Sequence, residues 1–316
     1  MRSETNISRA FIDLSKIGRT DWRSVALTFL LVKFLALLFS VACVIAVMFP
    51  IFSAHRLFYI PIAVRTPIYV AVEATGDIFG LWLGCKFIMR RPFRSLISTN
   101  MTFDVRRCLL GAVLYLAANV VSLIAISLFF SIPAGSWQLP FGHFEWPHHN
   151  EQIVATMAYL FATPLVAFAE ETIFRAWLTQ TIGHYVRPII VVVVLVAVLF
   201  AAYHTQYDLQ LKALIFVNSI GFSALSLRDQ RLELAIGVHL MINVCVTLQL
   251  LFFTRSQLHA QFLAPSLQFW ALIILKGVLP FALIYGWLQK TRGWFISTDG
   301  RLASSNDVLE TRVFKQ

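Results

Sequence analysis

Eight long apolar stretches decide what this chain of 316 residues can become. They run at 25–51, 66–89, 108–132, 153–182, 187–204, 209–227, 232–253 and 267–288. A helix needs about 20 apolar residues to cross a hydrocarbon core. No water reaches that core to satisfy exposed amides, so a chain made of such stretches must cross it as helices. The fold expected is therefore all-α, a polytopic transmembrane bundle of about eight helices, the fourth long and the fifth and sixth short. With 58% hydrophobic and only 13% charged residues, a single water-facing globular domain is excluded. One membrane domain over 24–290 is expected, between a short polar arm at 1–23 and a tail at 291–316.

The formal net charge is +10, and its distribution says more than its sum. Of the 26 Lys and Arg residues, 19 fall in the arm, the tail and alternate loops, against 4 in the loops of the other side. The positive-inside rule then puts both termini in the cytoplasm, as in an integral protein of a bacterial plasma membrane. The partners this charge suits are the anionic head groups of membrane lipids, not nucleic acid. The first apolar stretch is too long for a signal-peptide core and lacks a small-residue cleavage site behind it, so it reads as a retained helix. Cys43, Cys85, Cys108 and Cys245 lie in or beside apolar spans without metal-ligand spacing, and no disulfide framework is expected. The connection at 133–152, PAGSWQLPFGHFEWPHHNEQ, reads as an interfacial loop with its aromatics among head groups. A metal or substrate lid is its alternative reading.

Ionisable side chains at membrane depth cost several kcal/mol unless paired or hydrated, so each is a hypothesis of function. The densest set is Glu170, Glu171, Arg175, His204, His239 and Asn243, spread over three helices. Residues four apart share a helix face, so Glu171 can pair with Arg175. Glu170 points about 100° away and is left for other work. His204 shares a face with Phe200, and Asn243 with His239. At about 1.5 Å per residue, Glu170, His204 and His239 lie roughly 20, 26 and 12 Å from one membrane face, depths that overlap near the middle. Pro164 is expected to bend the fourth helix and free carbonyls beside the pocket they form.

These residues carry a resemblance. EETIFR (Glu170 to Arg175), FAAYH (Phe200 to His204) and HLMIN (His239 to Asn243) are similar, in order, to the EExxxR, FxxxH and HxxxN motifs of the CPBP family. These are the Abi or Rce1-like intramembrane proteases, which include type II CAAX prenyl endopeptidases and bacteriocin-processing enzymes. The resemblance places a CPBP-like core at about 153–253, and the first 150 residues carry no matching motif. It implies an endopeptidase acting on a peptide or protein substrate, lipidated or not. Glu170 would act as general base, activating a water with His204. His239 and Asn243 would donate hydrogen bonds to the oxyanion, while Glu171 and Arg175 would support the site. No cofactor is implied; the alternative is zinc on Glu170, His204 and His239, a carboxylate-and-imidazole set with room for water.

Outside the motifs, Glu73 and Asp77 share a face of the second helix, and Lys33 and Lys276 lie within the first and eighth. Charge pairing among them is the plain reading; a proton or substrate path is the sharper one. Gly76, Gly80 and Gly84 form a stripe suited to close helix packing. Two other functions fit a bundle of this kind. A transporter would use Glu73, Asp77, Glu170 and Arg175 as a relay, but the inverted repeats typical of carriers are not evident. A catalytically silent scaffold or immunity protein would keep the fold without needing the motifs.

Overall fold

The computed structural model describes residues 9–52, 62–139, 142–147, 149–253 and 267–294. The first eight residues of the arm, nearly all of the expected tail, and Pro140, Phe141 and His148 of the long loop lie outside the described residues. The protein is a polytopic helical bundle. Its helices are α1 (Trp22–Phe52), α2 (Ile62–Leu83, extended by a π-helical turn at Gly84–Ile88), α3 (Val105–Ala134), α4 (Asn150–Tyr185), α5 (Ile189–Tyr203), α6 (Leu209–Asp229), α7 (Glu233–Phe252) and α8 (Leu267–Thr291). Seven are long and apolar enough to cross a membrane, and α5, with 15 residues, is the short one. Every expected stretch thus became one helix. The fourth is the longest, at 36 residues. Among the described residues the only β pairings are two isolated bridges, Ser98 with Arg231 and Phe144 with Phe253.

Packing follows from small residues where backbones meet. A Cβ on Gly76, Gly80 or Gly84 would come within 2.8, 2.7 and 2.6 Å of Ala36 Cα, Val32 Cα and Thr28 Cγ2, so the glycine stripe is the face on which α2 lies against α1. The tightest crossing joins α3 to α7. There a Cβ on Gly237 would sit 1.9 Å from the carbonyl oxygen of Cys108, and one on Gly111 would sit 2.4 Å from that of Leu234. Only glycine allows this approach, and it sets the position of α7 two residues before His239. Ser122 Oγ donates to the carbonyl of Leu275, tying α3 to α8.

One end of the bundle is closed by the arm. A short helix, Ala10–Asp13, buries Phe11 and Ile12 completely against the last turns of α4. Arg9 donates to the carbonyls of Gly183 and Arg187, and Tyr185 Oη donates to Thr20 O at 2.5 Å. The arm read as a polar lead, but its apolar residues pack as part of the domain. Beside it, Arg91 donates to Ser95 Oγ and Gln180 Oε1. Burial pushes the Arg91 guanidinium down to about 10. At the opposite end, the loop before α4 docks on the end of α7: Glu145 N–H donates to Phe252 O at 2.9 Å, and Phe144 stacks on Phe252 at 5.9 Å. Trp137 and Trp146 of this loop stay exposed.

Candidate active site

The long helix α4 is not regular. Residues Thr172–Leu178 form a π-helical segment that begins directly after Glu171 and contains Arg175. π segments are rare and recur at functional sites, because the wider turn re-aims the side chains on it. Thr179 Oγ1 donates five residues back, to Phe174 O at 2.8 Å. Pro164 lies earlier in the same helix and cannot bond to the carbonyl four residues before it. That carbonyl, Leu160 O, accepts instead from Thr163 Oγ1 at 2.9 Å.

The adjacent glutamates diverge. Glu171 is wholly buried and its Oε1 lies 3.3 Å from Arg175 Nη1, as the four-residue spacing predicts. The same oxygen accepts from His239 Nδ1 at 2.7 Å. A carboxylate only accepts when ionised, so this contact puts the proton on Nδ1. The other ring nitrogen, Nε2, lies 3.5 Å from Glu170 Oε2. One imidazole therefore stands between the two glutamates. Glu170 retains 18% side-chain exposure, against zero for Glu171, so only Glu170 opens toward incoming molecules.

Arg175 is also fully buried, and none of its nitrogens makes a hydrogen bond to the described residues. Besides Glu171, its charge has aromatic faces: the guanidinium carbon lies 3.9 Å from the ring centroid of Phe200 and 4.8 Å from that of Phe222. Cation–π contacts of this kind gain strength when desolvated.

His204 ends α5, where its backbone leaves the helix. Its Nδ1 lies 2.8 Å from Phe200 O. A carbonyl only accepts, so Nδ1 carries a proton, which in the neutral ring leaves Nε2 with its lone pair. The ring packs against Phe200 at 4.6 Å and stacks near Tyr207 at 5.9 Å. Asn243 lies one turn beyond His239 on α7 and is half-buried. Glu170 thus has His239 beside it, 3.5 Å from its Oε2. Among the described residues no group of three His, Cys, Asp or Glu side chains is placed to hold a metal ion.

Sequence reasoning passed over Phe222 and any role for Tyr203, and its plain reading of charge pairing among Glu73, Asp77, Lys33 and Lys276 left the partners open. Lys33 Nζ meets Asp77 Oδ1 at 3.1 Å and lies 5.1 Å from the Tyr203 ring centroid, next to His204. Glu73 lies one turn from Asp77 and is half-buried. Nothing in the spacing of residues 33 and 77 could have paired them, since the contact depends on how α1 and α2 cross.

Residues 152–245 match the family described as type II CAAX prenyl endopeptidase Rce1-like. The match covers less than a third of the chain. It runs from the first turn of α4 to the middle of α7 and so contains all six candidate residues. A curated relative, the uncharacterized protein YyaK of Bacillus subtilis (strain 168), is 29% identical over 126 residues, 40% of this chain and 39% of its own length. The match thus spans about two fifths of that relative. No solved structure matches the chain significantly. Helix α2, which the Rce1-like match does not reach, packs against it through α4, and α1 in turn packs on α2.

Proposed function

We propose that this protein is an intramembrane endopeptidase that hydrolyses a peptide bond in a membrane-associated peptide or protein, using water activated by Glu170. The observation that carries the reading is the different treatment of two adjacent carboxylates around one imidazole, inside the segment that matches Rce1-like endopeptidases. Glu170, the partly open one, is the group able to take a proton from water. His204, with Nδ1–H held by Phe200 O, offers Nε2 as a second acceptor. His239 has Nδ1–H committed to Glu171, which anchors one nitrogen of its ring. A proton on Nε2 then makes it a donor for the oxyanion, joined by the Asn243 amide. Glu171 and Arg175 orient His239 and balance its charge rather than touching the substrate.

The substrate class is a peptide with a membrane-embedded or lipidated end, reached from within the bilayer. The protein works in a bacterial plasma membrane with both termini cytoplasmic, as the distribution of Lys and Arg suggests. The reaction needs no cofactor in this reading. The test uses the full chain purified in detergent and a peptide library, farnesylated and plain, comparing wild type with Glu170→Gln and adding EDTA or 1,10-phenanthroline. Cleavage that disappears in Glu170→Gln and survives chelation is the expected result. Loss in both restores zinc, and the absence of any cleavage by wild type turns the reading toward a carrier or scaffold.

A further inference from the structure

Phe222 is the buried residue most deeply involved in the site that no motif includes. It projects from α6, is 2% exposed, and its ring stacks on the His239 imidazole with centroids 4.9 Å apart and planes 20° from parallel. The same ring lies 4.8 Å from the guanidinium carbon of Arg175. Its own position is braced from behind by Phe281 of α8, edge-on at 5.3 Å. A Cβ on Gly221 would come within 2.4 Å of the Phe281 ring, so glycine at 221 is what lets α8 close on α6 at this point.

His239 has a ring fixed at one point only by its hydrogen bond to Glu171, about which it can still tilt. A stacked face removes that freedom. Phe200 closes another side, edge-on to His239 at 6.1 Å and 86°. The Arg175 guanidinium, which makes no hydrogen bond to the described residues, lies against the same two phenylalanines. We propose that Phe222 is a positioning residue of the reaction: its ring face sets the plane of His239 and thereby the direction of Nε2 toward Glu170 and the substrate. The role rests on the endopeptidase reading above, but the stacking itself can be measured without substrate.

The experiment labels histidine selectively with carbon-13 in the full chain and records the ring protons of His239 by NMR in detergent, with His239→Gln for assignment. Protons held over an aromatic face are shielded, so the wild-type signals are expected upfield of ordinary histidine positions; ordinary positions overturn the proposal before any change at 222 is made. Phe222→Leu removes the face, and its His239 signals are expected to move downfield. In the peptide assay its kcat falls about tenfold with KM within about twofold, as slight misplacement of a catalytic group does. Phe222→Tyr keeps the face and restores most of the rate. Unchanged kcat in Phe222→Leu, or a loss confined to KM, overturns it. Should Phe222→Leu not fold, Phe222→Met fills the space without a ring and is read the same way. If wild type cleaves nothing, the endopeptidase reading fails while the shielding still decides whether Phe222 orients His239.

Discussion

Two ion pairs at membrane depth, one in each half of the molecule, differ in what surrounds them. Lys33 and Asp77 join α1 to α2 beside the glycine stripe, and the lysine keeps 36% of its side-chain exposure. Glu171 and Arg175 lie on one helix of the segment that matches the Rce1-like family, with no exposure at all. The first pair has a lysine that is partly exposed and lies beside the Tyr203 ring, and it holds two helices that already fit through their glycines. In the second, Glu171 is shared with an imidazole and Arg175 with two aromatic faces. A fully desolvated pair repays its desolvation only when further partners take up the remaining charge. Those partners here are the residues of the candidate site, so its charges and its architecture are one construction.

The sharpest way to break this comparison is to remove the open carboxylate and leave the pair intact. Glu170→Gln is expected to lower peptide cleavage about 10²- to 10⁴-fold, the share of a general base, with an unchanged melting curve in detergent. Next in size is Arg175→Met, which leaves Glu171 buried with only His239 to answer it. A loss of about 3–5 kcal/mol in unfolding free energy is expected, partly recovered when Glu171→Gln is added; a double variant no more stable than the single one would show that the pair does not act as a unit. Gly237→Ala tests whether the α3–α7 contact positions His239. The added methyl collides with Cys108 O, so about 1–3 kcal/mol of destabilisation is expected, together with slower cleavage by the fraction that stays folded. The smallest effect belongs to the other pair: Lys33→Met should cost about 1 kcal/mol, less than Arg175→Met because Lys33 is itself partly exposed and only Asp77 is buried. A loss as large as that of Arg175→Met would erase the distinction between the two halves.

Much of the site was legible before the fold was known, for a definite reason. Charged and amide side chains are so costly in an apolar helix that Glu170, Glu171, Arg175, His204, His239 and Asn243 stand out singly, and their spacing by fours repeats the helical turn. Their neighbours were not legible by the same means. Phe222 is one of 28 phenylalanines, and in a chain of lipid-facing helices an aromatic residue carries no mark of what it touches. Phe11 and Ile12 were hidden differently, two apolar residues inside an arm whose average is polar.

The sequence by itself determined the number of helices, their membrane setting and the pairing of Glu171 with Arg175. Each follows from local terms: the length of an apolar stretch, the cost of a bare amide in lipid, and the helical repeat. Only the tertiary structure decided that His239 bridges both glutamates, that a π segment begins directly after Glu171, that Lys33 meets Asp77, and that Phe222 stacks on His239. Those contacts join residues far apart in the chain, and they depend on crossings set by a few glycines, where helices meet backbone to backbone.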